Sequence, residues 1–404
     1  MATRTEAPAA NATIAGGGEW LGRGRLVRRT YSLEDVALVP AASTRDPEDV
    51  DTSWQLGPYV FRLPFLAAAM DSVVDVGMAE AMWRLGGLAV LNLEGLQTRY
   101  PEPADALAAI AAAGQDEVVA LMQRLYQAPI RDDLVVARVG AIKATGAVCA
   151  MSVTPAAAAR LAPIAQQAGA DMVLVQSTVI TEAHRSTRGR TLSLRQLADR
   201  LGVPVLAGNC VSYEAALGLM EAGAAAVFVG VGPGAACTSR RVLGIGVPQA
   251  TAICDVAAAR DDHLARTGRY VPVVADGGIA TGGDVVKAIA CGADAVMLGS
   301  ALARAVEAPG RGFHWGMATP HAALPRGTRI RVGTTGTLRQ ILLGPAATDD
   351  GSHNLAEALR TAMGMCGAAT IREMHRVELV LAPQLGVEGK AAQFSQQVGQ
   401  GRAR

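Results

Sequence analysis

The sequence has few aromatic residues, no excess of either charge and no long apolar run. Phe, Trp and Tyr make up 4% of its 404 residues, and 37 basic residues balance 36 acidic ones. A net charge of +1 gives no electrostatic basis for binding nucleic acid or an acidic membrane surface. No uninterrupted apolar run reaches the ~18 residues of a transmembrane helix. We therefore expect no nucleic-acid partner and no membrane partner.

The cysteines form no CxxC pair, which argues against zinc ribbons and thioredoxin chemistry. Six scattered cysteines in a chain of this length are not a disulfide framework: Cys149, Cys210, Cys237, Cys254, Cys291 and Cys366. The N-terminus lacks the basic and then apolar pattern of a secretory signal. We expect a cytoplasmic protein with reduced thiols.

What the sequence does have is glycine, 45 residues, and eight short runs that are almost continuously apolar. The runs are PFLAAAM (64–70), LAVLNLE (88–94), GAVCAMSV (146–153), DMVLVQST (171–178), PVLAGN (204–209), AAVFVGVG (225–232), PVVADGG (272–278) and DAVMLGS (294–300). Such runs are typical of strands that are buried on both faces, and helical patterns lie between most of them. The alternation predicts a (β/α)8 TIM barrel. A doubly wound sheet is the alternative, but its early GxGxxG is absent.

The predicted organisation is a single catalytic domain with loose ends. Residues 1–29 form a flexible tail, residues 30–387 the barrel, and residues 388–404 a C-terminal tail. Two segments are longer than simple connections: 95–145 is predicted as a helical excursion, and 303–350 as a loop excursion after the eighth strand. Long loops on the functional face of a barrel usually bind ligands.

In barrels of this kind the active site lies at the C-terminal ends of the strands. The sixth predicted strand runs into GVGPGAACTSR (230–240), where a rigid glycine-rich loop presents Cys237. A cation such as Arg240 and exposed backbone amides favour the thiolate form of a cysteine. The hydroxyl of Ser239 is close enough in sequence to reach whatever the sulfur attacks. This pattern predicts that Cys237 is a nucleophile.

The seventh and eighth strands end in VADGGIATGGDVVKAI (274–289) and MLGS (297–300). Backbone amides of such loops bind phosphate in many barrels. Asp276, at the end of a strand beside these loops, is well placed to accept hydrogen bonds from ribose hydroxyls. Together the two stretches predict a site for a nucleoside monophosphate.

At this point the sequence resembles the IMP dehydrogenase/GMP reductase family, over roughly residues 30–380. The resemblance is carried by YSLEDVALVP (31–40), LPFLAAAMDSV (63–73), MWRLGGLAVLN (82–92), AGNCVSYEAALGLMEAGA, VGPGAACTSR, ADGGIATGGDVVKAIACGADAVMLGSALA and MCGAATIREM (365–374), in family order. The chain looks most similar to the short IMP dehydrogenase-related branch. The resemblance implies redox chemistry at C2 of a purine nucleotide, GMP or IMP.

The resemblance also implies residue roles. Cys237 would form a thioimidate at C2, assisted by Ser239. The substrate would be bound by Met70, Asn209, Gly234, Asp276, Gly277, Gly278, Gly299, Ser300, Trp315, Gly316 and Met317. The cofactor, NAD(P)H, would be bound by Gln176, Ser177, Thr178 and Gly230. The carbonyls of Gly232, Gly234 and Cys237 match a monovalent-cation loop, for K+.

The sequence departs from the family where regulation and hydrolysis are concerned. Segment 95–145 is too short for the paired regulatory CBS modules of many dehydrogenases. Residues 318–330 (ATPHAALPRGTRI) lack the Arg–Tyr pair that activates water in dehydrogenases, and Arg326 stands where reductases carry Glu. Gln176 and Phe228 replace an acidic and a basic residue, which predicts an altered dinucleotide subsite.

The missing Arg–Tyr pair favours reductive deamination of GMP to IMP, because that reaction needs no activated water, whereas Arg326 in place of Glu counts against a reductase. Three alternatives remain: an IMP dehydrogenase that forms XMP with NAD, a nucleotide-binding paralogue with little turnover, and a flavin-dependent barrel oxidoreductase. The resemblance implies a homotetramer or a larger assembly.

Overall fold

The computed structural model describes residues 18–184, 192–316, 329–382 and 389–399. The strands of these residues are β1 (Gly18–Leu21), β2 (Arg25–Arg28), β3 (Val36–Leu38), β4 (Trp54–Leu56), β5 (Tyr59–Phe61), β6 (Phe65–Ala67), β7 (Leu88–Asn92), β8 (Ala150–Val153), β9 (Met172–Gln176), β10 (Val205–Cys210), β11 (Val227–Val229), β12 (Val273–Asp276), β13 (Ala295–Leu298), β14 (Phe313–Trp315), β15 (Arg329–Arg331) and β16 (Leu379–Leu381).

The α-helices of the same residues alternate with the central strands. They are α1 (Val76–Leu85), α2 (Pro103–Ala112), α3 (Val118–Leu125), α4 (Asp132–Ala144), α5 (Pro155–Gln167), α6 (Leu194–Arg200), α7 (Tyr213–Glu221), α8 (Ser239–Leu243), α9 (Gln249–Thr267), α10 (Gly282–Ala290), α11 (Leu338–Leu343), α12 (Leu355–Met365), α13 (Ile371–Met374) and α14 (Ala391–Gln396). Short 3-10 helices cover Leu33–Asp35, Pro47–Asp49, Leu96–Thr98 and Leu302–Arg304.

Strands β6 to β13 close into a parallel barrel, in chain order, with β13 pairing back onto β6. Each of the eight predicted apolar runs contains one of these strands, so the predicted TIM barrel is confirmed. The runs are apolar on both faces because one face fills the barrel and the other packs against helices. No helix in the described ranges is long and apolar enough to cross a membrane.

The barrel interior is filled by side chains from all eight strands, with Phe228 as the largest of them. The antiparallel pair β4–β5 adds Trp54 and Phe61, whose rings stack at 5.5 Å. Aromatic residues are scarce in the chain, and several of them are used here. The barrel is therefore a packed core, and ligand space is confined to its rim.

The segments outside the barrel contain more structure than predicted. Residues 18–28, within the predicted N-terminal tail, form the hairpin β1–β2, and Arg28 forms an ion pair with Asp255 of α9. That ion pair connects the hairpin to the barrel helices. Segment 95–145 contains α2, α3 and α4. The excursion after β13 carries β14, β15 and α11, and the C-terminal tail contains α14.

Candidate active site

A cavity of about 460 Å³ opens at the C-terminal ends of the barrel strands. Most predicted site residues line it: Met70, Gln176, Ser177, Thr178, Asn209, Gly230, Gly232, Gly234, Cys237, Ser239, Asp276, Gly277, Gly278, Gly299, Ser300 and Gly316. Apart from Gly316, which follows β14, these residues lie at or after the ends of six barrel strands, and they meet because the C-terminal ends of all strands in a parallel barrel lie on one face.

Two predicted substrate residues stand apart. The Trp315 side chain is fully buried outside the cavity, where its indole N–H donates to the Tyr126 hydroxyl at 2.9 Å. The resemblance implies that the backbone of Trp315 reads the purine edge, and this stays a prediction, while the ring packs in an apolar pocket among α2 and α3. Met317 lies outside the described residues.

The loop after β11 holds Cys237 at the cavity. Gly230 begins this loop with a φ of 147°, and a Cβ at that position would come within 2.1 Å of the Asp276 carbonyl oxygen. Only glycine fits such a close approach. The Cys237 thiol donates to the Ser239 hydroxyl at 3.3 Å, and its side chain is solvent-accessible. An accessible sulfur can be reached by a ligand in the cavity, and the neighbouring hydroxyl can exchange a proton with it.

Arg240 stabilises the loop rather than the Cys237 sulfur. Its guanidinium donates to the carbonyls of Val231 at 3.2 Å and Val247 at 2.8 Å. Its aliphatic part packs on Gly232, where a Cβ would come within 2.5 Å of the Arg240 Cγ. The expectation that Arg240 is a cation for the thiolate is therefore not met by its hydrogen bonds. It ties the two ends of the loop together.

Asp276 ends β12 and is the centre of a polar cluster. Its Oδ2 accepts hydrogen bonds from Gln176 at 2.9 Å and from Asn209 at 2.8 Å. The register of β10 shifts between Gly208 and Cys210, and such bulges redirect side chains beside active sites. Within the described ranges, Oδ1 of Asp276 accepts no hydrogen bond from another side chain or from the backbone. This oxygen is available to a ligand hydroxyl.

The position of Asp276 perturbs its ionisation. Burial raises the pKa of Asp276 to about 6, and the amides of Asn209 and Gln176 offset part of this rise. The carboxylate is ionised at neutral pH and becomes protonated below about pH 6. Perturbed carboxylates that line a cavity are typical of functional sites.

Two glycine-containing turns provide backbone donors beside Asp276. Gly277 and Gly278 have φ values of 87° and 74°, and a Cβ on Gly277 would come within 3.1 Å of the Gly234 amide nitrogen. In the part of the chain that the structure describes, the amides of Gly278 and Ser300 donate to no backbone or side-chain acceptor. Free N–H groups on adjoining turns can bind an anion. The helix that follows, α10, is already capped by Thr281 and Asp284.

His314 is a cavity residue to which sequence analysis assigned no ligand role. Its Nδ1 lies 2.9 Å from the Ser72 hydroxyl, and its Nε2 lies 3.4 Å from a Cβ built on Gly299. Burial lowers the pKa of His314 to about 4, so the imidazole is neutral at neutral pH. Depending on which ring nitrogen carries the proton, Nε2 donates or accepts a hydrogen bond beside the Gly299–Ser300 turn.

The opposite side of the cavity is formed by the ends of β7, β8 and β9. Ser152, Thr154, Ser177 and Thr178 contribute hydroxyls there. Glu94 also lines this wall, and its Oε2 accepts the Thr154 N–H at 2.5 Å. Hydroxyls and a carboxylate on one wall are the groups that ribose and amide groups of a dinucleotide would meet.

Gln176 and Phe228, the two residues that predict an altered dinucleotide subsite, lie in different surroundings. Phe228 is fully buried in the barrel interior and does not line the cavity. The Gln176 amide donates to Asp276 and Asn209, so it supports the ribose side of the cavity. Phe228 points into the barrel while its neighbours Val227 and Val229 pack against the helices. Gln176 lines the cavity, so its effect on a dinucleotide stays a prediction.

The loop carbonyls offer only a partial cation site. Carbonyl oxygens are the ligands that K+ prefers, and the carbonyls of Gly232 and Cys237 accept no hydrogen bond from the described residues. The Gly234 carbonyl already accepts the Cys237 N–H at 2.9 Å. Three carbonyls do not fill a coordination shell, so water or another subunit would supply the rest. The described ranges contain no group of three or more His, Cys, Asp or Glu that could hold a metal ion.

Comparisons with known proteins show which family the chain resembles. The model of the IMP dehydrogenase / GMP reductase domain matches residues 30–391. An uncharacterized oxidoreductase of Mycolicibacterium smegmatis is 43% identical over 89% of this chain and 99% of its own length. An inosine-5'-monophosphate dehydrogenase of Haemophilus influenzae is 36% identical over 55% of this chain and 47% of its own length.

A solved structure is similar over almost the whole fold. The crystal structure of an IMP dehydrogenase/GMP reductase-like protein from Corynebacterium glutamicum has a TM-score of 0.85 and 40% sequence identity. The match covers 90% of this chain and 97% of that one. With the barrel, the cavity and the matching domain, the chain belongs to the IMP dehydrogenase / GMP reductase family of oxidoreductases.

Proposed function

We propose that the protein is an NAD(P)H-dependent GMP reductase, which converts GMP to IMP and ammonia. The observation that carries the proposal is the pairing of Cys237 with Ser239 in the cavity that also contains Asp276 and the turns at Gly278 and Ser300. The cavity therefore combines a nucleophile, a ribose acceptor and an anion site. Nucleotide binding alone would not need the first of these.

The reaction proceeds in two balanced steps. In the first, a bond forms between the Cys237 sulfur and C2 of the purine while the bond from C2 to the amino group breaks. The thiol proton leaves with the amine as ammonia, and the Ser239 hydroxyl, 3.3 Å from the sulfur, relays it. In the second, a C–H bond forms at C2, the C2–S bond breaks, and the sulfur regains a proton.

The chain's other residues hold the nucleotide during both steps. Asp276 accepts the ribose hydroxyls through its free Oδ1, while the amides of Gly278 and Ser300 bind the phosphate. When bound, a reduced nicotinamide dinucleotide supplies the hydride that reaches C2. The hydroxyl-bearing wall at β8 and β9 fits such a group because it continues the same cavity past Cys237.

The position of the Arg329 side chain supports the reductive direction. This residue is one of two arginines in the segment where dehydrogenases of the family carry a water-activating Arg–Tyr pair. It is buried, and its guanidinium donates to the carbonyls of Ile110 and Ala111 at the end of α2. An arginine held in this way does not reach a water molecule at the purine. Arg326 lies outside the described residues.

The test is absorbance at 340 nm with GMP plus NADPH or NADH, and separately with IMP plus NAD. Loss of absorbance that requires GMP and disappears in Cys237→Ala is the expected result. A gain of absorbance with IMP and NAD would replace the proposal by a dehydrogenase. Silence in both assays with tight GMP binding by calorimetry would indicate a nucleotide-binding paralogue. A yellow protein that absorbs near ~450 nm would indicate a flavin enzyme.

The proposal extends to assembly and location. The family resemblance supports a cytoplasmic homotetramer or larger assembly, and light scattering after size-exclusion chromatography measures its mass. Titration of KCl in the same assay tests whether the loop carbonyls bind K+. A rate that is unchanged when K+ is replaced by a larger organic cation would remove the ion from the proposal.

A further inference from the structure

The strand that brings Gly316 to the cavity rests on the helical segment after β7. Trp315 precedes Gly316 and is fully buried, in an apolar cluster with Leu107, Ile110 and Met122 of α2 and α3. Gly316 itself lines the cavity. Residues 100–145 therefore set the position of Gly316, although none of them lines the cavity.

The second strand of the same hairpin is fixed to the same helix. Arg329 donates to the carbonyls of Ile110 and Ala111, and its guanidinium lies 4.3 Å from the centre of the Phe313 ring. These contacts satisfy carbonyls at the C-terminal end of α2, where a helix leaves acceptors unpaired. Both strands of the hairpin β14–β15 are thus attached to α2.

A line of three buried polar groups connects this hairpin to the first barrel strand. The Trp315 indole N–H donates to the Tyr126 hydroxyl at 2.9 Å, and that hydroxyl donates to Asp71 Oδ2 at 2.6 Å. The Leu96 N–H donates to the same oxygen at 2.8 Å. Asp71 directly follows Met70, which lines the cavity. Tyr126 therefore connects Asp71, the neighbour of Met70, with Trp315, the neighbour of Gly316.

We propose that Tyr126 is a positioning residue, whose hydroxyl sets the spacing between Met70 and Gly316 on either side of the purine. The proposal rests on the proposed function for the identity of the nucleotide. Tyr126 does not line the cavity, so it acts through Asp71 and Trp315. It controls how well the base is held and leaves the Cys237 chemistry unchanged.

The Tyr126 hydroxyl bonds to two buried polar groups at once. Its removal leaves the buried Trp315 N–H without its acceptor and the Asp71 carboxylate with one donor fewer. Burial raises the pKa of Asp71 to about 6, and the Tyr126 hydrogen bond works against that rise. Buried polar groups that lose partners cost more than the hydrogen bond itself, so the neighbouring backbone relaxes.

The experiment compares Tyr126→Phe with Tyr100→Phe by calorimetry of GMP binding and by steady-state kinetics. Tyr100 lies in the same segment, and its hydroxyl donates to the Leu125 carbonyl at 3.0 Å, away from the cavity. The aromatic ring retained in Tyr126→Phe would keep the contact with the Arg99 guanidinium, 6.0 Å away in the wild type. We expect Tyr126→Phe to raise the Kd and KM for GMP about tenfold. The kcat should change less than twofold, and Tyr100→Phe should bind GMP like the wild type.

A second variant shows whether the three groups act as one unit. Trp315→Phe removes the indole N–H and keeps an aromatic ring in the apolar cluster. If the line of hydrogen bonds transmits the effect, the double variant binds GMP only as weakly as the weaker single variant. Multiplied losses in the double variant would contradict the proposal, because independent packing defects add.

The outcomes separate this proposal from the proposed function. Equal GMP affinity in Tyr126→Phe and Tyr100→Phe overturns the positioning role and leaves the reductase intact. A lower melting temperature with unchanged affinity also overturns it, because that result describes a purely structural tyrosine. Wild-type protein that binds neither GMP nor IMP by calorimetry overturns the proposed function, whatever the variants do.

Discussion

Cys237 differs from the buried cysteines in the surroundings of its sulfur. Burial raises the pKa of the Cys149 and Cys210 thiols to about 12, so both stay protonated and inert near neutral pH. Cys237 and Cys254 are the two exposed cysteines among the described residues, and Cys366 is half-buried. Of these two, only Cys237 lines the cavity. Comparing Cys237 with Cys254 distinguishes a thiol that is only exposed from one that is needed for turnover.

Cys237→Ala should abolish GMP-dependent oxidation of NAD(P)H, because no other cavity residue can form the thioimidate. Cys254→Ala should retain the wild-type rate, since Cys254 lies on α9 outside the cavity. Alkylation by iodoacetamide, followed by mass spectrometry, supplies a second readout. GMP should protect Cys237 and leave Cys254 reactive. Protection of both cysteines, or of neither, would contradict this assignment.

Asp276→Asn should weaken GMP binding at least tenfold and raise stability at alkaline pH. The folded-state pKa of about 6 lies above the ordinary value of 3.8, so ionisation destabilises the native state as pH rises. The destabilisation is absent near pH 4 and complete above about pH 7, and it amounts to ~1–3 kcal/mol. The melting temperature of the variant should therefore exceed the wild-type value at pH 8 and match it at pH 4.

The exposed Asp116 provides the control for this charge removal. It makes no hydrogen bond or ion pair with the described residues, so Asp116→Asn should change neither the melting temperature nor GMP affinity. A variant at Asp276 that is destabilised at pH 8 would mean that the carboxylate gains more from Asn209 and Gln176 than burial costs it.

The sequence predicts the position of some cavity residues and not of others. Strand-end glycines and Asp276 could be assigned to the cavity because strand order alone places them on one face. Trp315 and Arg240 could not, because their partners lie elsewhere: Trp315 bonds to Tyr126, 189 positions away, and Arg240 bonds to Val247. A histidine beside a tryptophan gave no signal that His314 faces the cavity. Side-chain direction depends on the packing and hydrogen bonds of the folded chain, which no pattern of residue types contains.

At the scale of elements, apolar runs located the barrel strands because parallel strands are buried on both faces. Strands outside the barrel carry no such signal. The pair β1–β2 has exposed side chains at almost every position, so its sequence is similar to that of a loose tail. The hairpin β14–β15 has no apolar run either, because its strands FHW and RIR mix apolar residues with a histidine or arginines. The strands β14 and β15 are held in place by contacts with α2.

The turn from β11 into the cysteine loop provides a test at this scale. In Gly230→Ala the new Cβ would meet the Asp276 carbonyl oxygen at 2.1 Å, with φ at 147°. Backbone rather than a flexible side chain must then move, so we expect loss of turnover and a lower melting temperature. Strain of this kind costs several kcal/mol. Circular dichroism at low temperature shows whether the barrel still forms.

Gly218 is the matched control for this substitution. It lies inside α7, and a Cβ there meets nothing within 4 Å. Gly218→Ala should raise the free energy of unfolding by ~0.5–1 kcal/mol, because alanine favours the helix, and should leave turnover unchanged. If Gly230→Ala keeps full activity, the loop after β11 is not the rigid support of Cys237 that its geometry indicates.

At the scale of the molecule, the two ends of the barrel have different tasks. The C-terminal end carries the cavity and an ionised Asp276 that burial disfavours. The N-terminal end, at Asp294 just before β13, carries a buried cluster. Asp294 accepts hydrogen bonds from Tyr270 at 2.5 Å, from the Val273 N–H at 2.8 Å and from Arg260 at 3.3 Å. Function is thus placed at one end and stability at the other.

Arg260→Ala tests this division. Arg260 and Asp294 are 3% and 5% exposed, so removal of the guanidinium leaves a buried carboxylate without its cation. We expect the free energy of unfolding to fall by ~3–5 kcal/mol, measured by denaturant titration. The exposed pair of Arg266 and Glu221 provides the control, and Arg266→Ala should cost less than ~1 kcal/mol. Below the melting temperature of Arg260→Ala, its GMP affinity should equal that of the wild type. A loss of affinity would mean that the two ends of the barrel are coupled.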